Sequence, residues 1–281
     1  MKKSISIVGA GFVGSAIVNY FNKLGNFNVY VYDLIPEKRN VECLEELVKK
    51  SNIIFICLPT PMFLDTGEQD SSIVESVLLK LDKVCEKQSL IIKSTILPNK
   101  LEEFDKKFKH LNLIYSPEFL TEANSNSDFE NQDRIILGGR LLGSAVELFK
   151  EAFPNVPIYK TDLKTAAMVK YASNCFLMTK VLFFNEVWEV CQELGINYDE
   201  VKSMTSLDKR IGDSHMSVPG PDFRFAAAGS CFIKDLNAFK SMLKTLNVNQ
   251  EICEAVWSKT LRMRPERDWE LLENRAISRK K

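Results

Sequence analysis

Histidine is almost absent from this sequence: His110 and His215 are the two, and they lie far apart. The seven cysteines, at 43, 57, 85, 175, 191, 231 and 253, form no C-x-x-C pair and no regular spacing. Structural zinc needs clustered Cys and His, and a disulfide framework needs an even, patterned set, so neither is supported and no metal is expected. An odd, unpatterned set of thiols fits a reducing compartment and points to the cytoplasm. There is also no excess charge of either sign, since Lys+Arg and Asp+Glu are both 37. That removes the case for nucleic acid, and the closing "SRKK" reads as a solvated end. No window reaches the roughly 18 uninterrupted apolar residues of a membrane span, so no membrane partner is expected.

What is present begins at the N-terminus. "MKKSISIVGAGFVGSAIV" has the lysines and apolar run of a signal peptide, but its glycine spacing has a better explanation. A short apolar strand leads into Gly9, Gly11 and Gly14 in G-x-G-x-x-G spacing, followed by an amphipathic helix. The first glycine makes the tight turn and the second admits a pyrophosphate to the backbone. The third lets the helix pack on the strand, with its N-terminal amides facing the phosphates. The intervening Phe12 and Val13 belong to the same cofactor turn. A second strand, "NVYVYD", ends on Asp33, where an acid binds ribose hydroxyls and repels a 2′-phosphate. The expected cofactor is therefore NAD; the plainer reading of Asp33 is a strand-end turn residue.

Apolar runs recur at 53–58, 89–94, 111–116 and 134–139 with helical patterns between them. Strands alternating with helices predict a doubly wound parallel sheet of Rossmann type. Ligands bind such sheets beyond the carboxyl ends of the strands. The residues there are Pro59 and Thr60, Ser94 and Thr95, and "SPEFLTEA" with Glu118 and Glu122. Any one can be an ordinary polar loop residue, but several hydroxyls and carboxylates on one edge are harder to dismiss.

From Asp162 to about Leu194 the chain runs without Gly or Pro and stops at Gly195, predicting one helix roughly 50 Å long. Its apolar content makes it the spine of a helical domain or a dimer interface. Lys170 and Asn174 are four apart on one face, either as a surface hydrogen-bonded pair or as an ammonium and an amide aimed at one oxyanion. Lys180 falls on another face. A shorter helix near 198–206 and a Gly/Pro-rich loop lead to Cys231 in "GSCFIKD". A lone cysteine usually packs as a small hydrophobe. Here it opens a helix, where the dipole and Lys234 can lower its pKa below the roughly 8.5 of a free thiol. Asp235, one turn on, can act as a base or orient a water.

"GAGFVG", "VYD", "CLPTPM", "KSTILP", "SPEFLTEANSNSDFENQDRIILGG", "KYASN", "FFNE", "RIGDSHMSVPGPD" and "GSCFIKD" stand in one order across residues 4 to 245. In this the chain resembles the UDP-glucose/GDP-mannose dehydrogenase family. The resemblance implies oxidation of the C6 alcohol of a nucleotide sugar, UDP-glucose first among candidates, by two NAD-dependent steps through a cysteine thiohemiacetal and thioester. It implies Cys231 as nucleophile and Lys170 and Asn174 as oxyanion and substrate contacts. Asp235 and Thr95 would position water, and Glu118 would assist proton transfer. Glu122 and Lys234 would join Gly9, Gly11, Gly14 and Asp33 at the cofactor, with Phe119, Leu120 and the 211–229 loop, including Gly229, facing the sugar. It also implies a homodimer through the 162–194 helix.

There are departures. The family's usual third, nucleotide-binding domain has no counterpart in the 35 or so residues after the cysteine helix, so a short form is expected. The glycine-rich run before the cysteine is Ala226-Ala227-Ala228-Gly229, whose methyl groups can block positive φ or crowd a sugar. Ile233 replaces the usual proline. The expected domains are 1–160, which binds NAD, and 161–281, which is helical. Two alternatives remain: a single-step β-hydroxyacid dehydrogenase, which also uses a Lys-x-x-x-Asn pair, and a non-catalytic NAD-binding partner protein.

Overall fold

The structure, a computed structural model, describes residues 2–227 and 229–279. In chain order the elements are β1 (Lys3–Val8), α1 (Phe12–Leu24), β2 (Phe27–Tyr32), α2 (Leu44–Lys50), β3 (Ile53–Ile56), β4 (Met62–Phe63), α3 (Ser72–Leu81), β5 (Ser89–Ile92) and α4 (Pro98–Lys107). There follow β6 (Asn112–Tyr115), α5 (Ser125–Glu130), β7 (Ile135–Gly139), α6 (Gly143–Ala152), β8 (Ile158–Thr161), α7 (Leu163–Leu194), α8 (Tyr198–Thr205), α9 (Cys231–Thr245), α10 (Glu251–Met263) and β9 (Ile277–Ser278). They form two compact units. One comprises the residues up to Thr60 with Asp70–Lys170; the other comprises Pro61–Gln69 with the residues from Tyr171 onward.

The first unit is a seven-stranded sheet in the order β2-β1-β3-β5-β6-β7-β8. Its strands are apolar on both faces because helices cover both. Ile5, Ile7, Phe55, Ile91 and Ile114 pack against Ile17 and Phe21 of α1 and Phe149 of α6. The alternate residues Val8, Ile54, Ile56, Leu90 and Ile92 pack against Leu47, Leu78, Leu101 and Phe104 on the other side. The pattern of two buried faces is that of a doubly wound Rossmann-type sheet.

Two strands depart from the all-parallel expectation. β7 pairs antiparallel with β6, and β8, which the sequence reading did not anticipate, runs parallel to β7. A parallel return needs a crossover of a dozen or more residues, usually helical. The six-residue α5 is too short to carry the chain back along the sheet, so β7 re-enters from the edge where β6 ended. The strands β1, β2, β3, β5 and β6 all remain mutually parallel. Gly9, Asp33, Pro59, Thr95 and Glu118 therefore follow the carboxyl ends of strands on one edge.

α7 has 32 residues, about 48 Å of helix, and ends as its glycine predicts. Gly195 sits at φ 65°, and the Ile196 amide reaches back to the Cys191 carbonyl at 2.9 Å. In the second unit Cys175, Met178 and Leu182 of α7 pack with Ile233 and Leu236 of α9 and Val256 of α10. Trp269, Ala276 and Ile277 complete that core, and β9 pairs with β4 through Met62 and Ile277. The excursion 61–69 belongs to this unit for that reason.

The segment after α10 also braces the loop leading to Cys231. The buried Arg264 guanidinium holds Asp268 through Nε and Nη2, both at 2.7 Å, and the Phe225 carbonyl at 3.2 Å; its Nη2 also binds Asp222. Asn185 accepts from the Ala226 amide at 3.0 Å, and Trp188 packs on Phe225. Removing a buried ion's partner strands the charges left behind. Arg264→Ala should therefore lower the unfolding free energy by about 3 kcal/mol in urea titration at pH 7. Arg264→Lys, without the planar fork, should recover only part of it.

Candidate active site

The glycine turn shows which of its residues are required for packing and which leave room. A Cβ on Gly9 would lie 2.5 Å from the Cys57 carbonyl oxygen, and Gly9 has φ +91°. A Cβ on Gly14 would lie 1.9 Å from the Gly9 oxygen, so only hydrogen there lets α1 approach β1. Nothing lies within 4 Å of a Cβ on Gly11, which opens at the start of α1 beside Phe12 and Val13. The open space faces helix-terminal amides, which suit a diphosphate. Asp33 is held in place by the Ala10 amide at 2.6 Å and the Ile35 amide at 2.8 Å. Its carboxylate retains lone pairs for two ribose hydroxyls. The residues present fit a dinucleotide without a 2′-phosphate.

Further along the same edge, Pro59 is exposed and Thr60 and Thr95 are buried. Ser94 Oγ accepts from the Leu58 amide at 2.8 Å, tying the turn after β5 to the turn after β3. Glu118 is buried and ion-paired with buried Lys170 at 2.9 Å. The Lys170 ammonium also donates to the Glu118 carbonyl at 2.6 Å, and Glu118 Oε2 accepts from the Leu120 amide at 2.7 Å. Burial alone would raise the Glu118 pKa. The Lys170 charge and hydrogen bond, the Leu120 amide and the Lys93 charge outweigh it and hold the group below its ordinary 4.5. Phe119 lies under Arg134 and Lys170, at 4.3 and 5.5 Å from its ring centre, while Glu122 is half-buried.

The second unit holds the cysteine. Cys231 is the first residue of α9, partly exposed, with Sγ 3.8 Å from Ser230 Oγ. One turn on, Asp235 is 1% exposed. Its Oδ1 pairs with Lys234 at 2.5 Å and its Oδ2 accepts from Asn174 Nδ2 at 2.6 Å. Lys170 and Asn174, read from sequence as one clamp, are thus each committed to a different carboxylate. Other thiols are kept protonated: burial pushes Cys57 up to about 12 and Cys85 up to about 11, and raises Cys175 and Cys253. Lys180 binds the Ile211 and Gly212 carbonyls at 2.9 and 3.1 Å, anchoring the 211–229 loop.

The alanines in that loop resolve in part. Ala226 takes the left-handed φ of 60° despite its methyl, and Ala226 and Ala227 are buried in the second unit's core. Gly229 is also left-handed, at 75°. Ala228 lies outside the described residues.

Family models match on this framework. That of the UDP-glucose/GDP-mannose dehydrogenase NAD-binding domain covers residues 38–155, and that of the family's central domain covers 164–259. A UDP-glucose 6-dehydrogenase of Rickettsia typhi is 30% identical over 93% of this chain and 67% of its own length. The chain belongs to the UDP-glucose/GDP-mannose dehydrogenase family. A second relative, the UDP-glucose 6-dehydrogenase of Rickettsia bellii, is 31% identical over 90% of this chain and 65% of its own. The solved UDP-glucose dehydrogenase of Pyrobaculum islandicum superposes with a TM-score of 0.83 at 26% identity, covering 97% of this chain and 71% of that one. The chain spans 65%, 49% and 50% of three curated relatives from Rickettsia bellii, Rickettsia felis and Rickettsia conorii.

Family motifs led to Glu118, Lys170, Asn174, Cys231 and Asp235; Lys93 opens the motif "KSTILP" but was given no role, and Arg264 lies outside every motif. Lys93 did carry a signal, a lysine directly ending the apolar run "SLIIK". Arg264 had none, because Asp222 and the Phe225 carbonyl, which tie it to the cysteine loop, lie 42 and 39 residues away.

The Glu118 shift has a direct consequence for stability. A carboxyl with a lowered native pKa contributes stability that is complete above its unfolded value and lost as pH falls through the native one. In urea titrations the stability deficit of Glu118→Gln against wild type should be full at pH 6–7. It should shrink as pH drops below 4.5.

Proposed function

We propose that this chain oxidises the C6 alcohol of a nucleotide sugar, UDP-glucose foremost, to the carboxylate. The supporting observation is Cys231 at the start of a helix, with a buried carboxylate one turn behind it already locked by Lys234 and Asn174. Two NAD⁺, bound in turn, would each accept one hydride, one for each of the two oxidations. Gly9, Gly11, Phe12, Val13, Gly14 and Asp33, with Pro59, Thr60, Thr95, Glu122 and Lys234, are the residues assigned to hold NAD⁺.

The chemistry assigned to the chain follows from its side chains. Helix-terminal amides of α9 favour negative charge on the Cys231 sulfur, which adds to the C6 aldehyde to give a thiohemiacetal. Oxidation leaves a thioester on Cys231, and water releases the carboxylate and restores the thiol. Lys170 and Asn174 stabilise oxygen anions at C6. Glu118, held ionised by Lys170, takes a proton from the sugar hydroxyl or from water. Asp235 and Thr95 orient that water. Phe119, Leu120 and Gly229 contact the sugar. Seven free thiols suit a reducing cytoplasm.

We further propose a homodimer through α7. Phe176, Phe183 and Val190 are exposed at seven-residue intervals, one stripe along the helix, and Leu194 extends it.

Counting NADH per sugar consumed tests the reaction. Wild type with UDP-glucose should give two, and Cys231→Ser should stall after the first or give none. One NADH per turnover in wild type would point instead to a single-step dehydrogenase. NAD binding without turnover of any nucleotide sugar would point to a non-catalytic partner. For the assembly, light scattering should give a dimer for wild type and a monomer for Phe176→Glu/Phe183→Glu; equal masses would remove α7 as the interface.

A further inference from the structure

Lys93 is a buried ammonium that none of these roles uses. It follows β5 directly, is 4% exposed, and lies wholly within the first unit. Its Nζ donates to the Pro117 carbonyl at 3.1 Å and to Ser116 Oγ at 3.3 Å. Those two residues immediately precede Glu118, whose own carbonyl is taken by Lys170 at 2.6 Å. Successive carbonyls of one short loop are thus hooked by two ammonium groups, one just after β5 and one on α7.

The electrostatics point the same way. The charged or titratable groups acting on Lys93 are Glu118 after β6, Cys57 after β3 and Lys170 on α7. Burial is the largest influence on the lysine and brings it down to about 8, with Glu118 and Cys57 opposing and Lys170 assisting. At neutral pH it therefore remains mostly charged. Glu118 in turn feels both lysines. An isolated buried lysine is expensive, and an apolar residue would fill the space at lower cost. Its place next to the buried carboxylate of Glu118 calls for a task.

We propose that Lys93 is a positioning residue for Glu118: its ammonium holds the Ser116 hydroxyl and the Pro117 carbonyl and lends a second positive charge to the carboxylate already paired with Lys170. The inference rests on the assignment of Glu118 to proton transfer in the proposed reaction. Lys170 bonds the carboxylate directly, and Lys93 adds its charge and holds the residues just before it, while Lys170 also serves the substrate oxygen. Loss of Lys93 would leave Lys170 to carry both duties.

Two titrations without substrate or cofactor test it. Carbon-13 NMR of protein labelled at the glutamate carboxyl carbon follows Glu118, whose resonance is identified by its loss in Glu118→Gln. In Lys93→Met the Glu118 midpoint should rise, and Lys93→Arg should return it toward wild type. An unchanged midpoint in a Lys93→Met protein with native circular dichroism overturns the proposal. Should Lys93→Met not fold, lysine labelled at Cε is followed in wild type and in Glu118→Gln. The Lys93 midpoint, near 8 in wild type, should fall by about a unit or more when the neighbouring anion is removed. Equal midpoints in the two proteins likewise overturn it. Neither titration depends on turnover, so failure here is distinct from failure of the dehydrogenase reading, which the NADH count decides.

Discussion

The carboxylate of Glu118 must be compensated on every side because it has left water, and much of the first unit is arranged around that requirement. A buried ionised group is tolerated only when its charge is matched and its lone pairs are filled. Lys170 supplies the charge and a hydrogen bond, the Leu120 amide takes the second oxygen, and Lys93 adds a further charge. Meeting those demands fixes the 116–120 loop, the approach of α7 and the end of β5 together. A side chain held so completely has little rotamer freedom left.

Asp235 is the counterpart in the second unit. It too is buried, and it too has both oxygens engaged, by Lys234 and Asn174. The two residues of the Lys-x-x-x-Asn motif thus orient two separate carboxylates. Their four-residue spacing aligns them on one helix face, but what each ammonium or amide bonds depends on which loop packs beside it. Four of the thiols follow the same physics. Cys57, Cys85, Cys175 and Cys253 sit where burial disfavours a thiolate.

The alanine run shows how a departure from the family pattern is absorbed. A left-handed alanine costs about 1–2 kcal/mol, and burying a methyl returns roughly 0.8 kcal/mol. Ala226 does both, with φ 60° and a place in the second unit's core. The residual strain is held by Asn185 on its amide and by Arg264 on the preceding carbonyl. Phe223 adopts the same region at φ 61° while exposed, with no such compensation from packing. The loop conformation is therefore dictated by its anchors and not by local preference.

Read alone, the chain already determined what short-range rules can express. The glycine turn, Asp33 at the end of β2, the helix from 163 to 194 with its stop at Gly195, and Cys231 at a helix start are all local patterns, set by sterics and periodicity over a few residues. The ordered family motifs carried the expected site residues as well. Tertiary structure alone decided the reversed direction of β7 and β8, the strand pairing of 277–278 with 62–63, and the partners of each buried charge. Lys93 and Arg264 are the clearest cases. A lysine ending an apolar run and an arginine after a helix have no meaning until distant carbonyls and carboxylates are packed around them. Burial and pairing are properties of the folded neighbourhood, and segments far apart in the chain supply it.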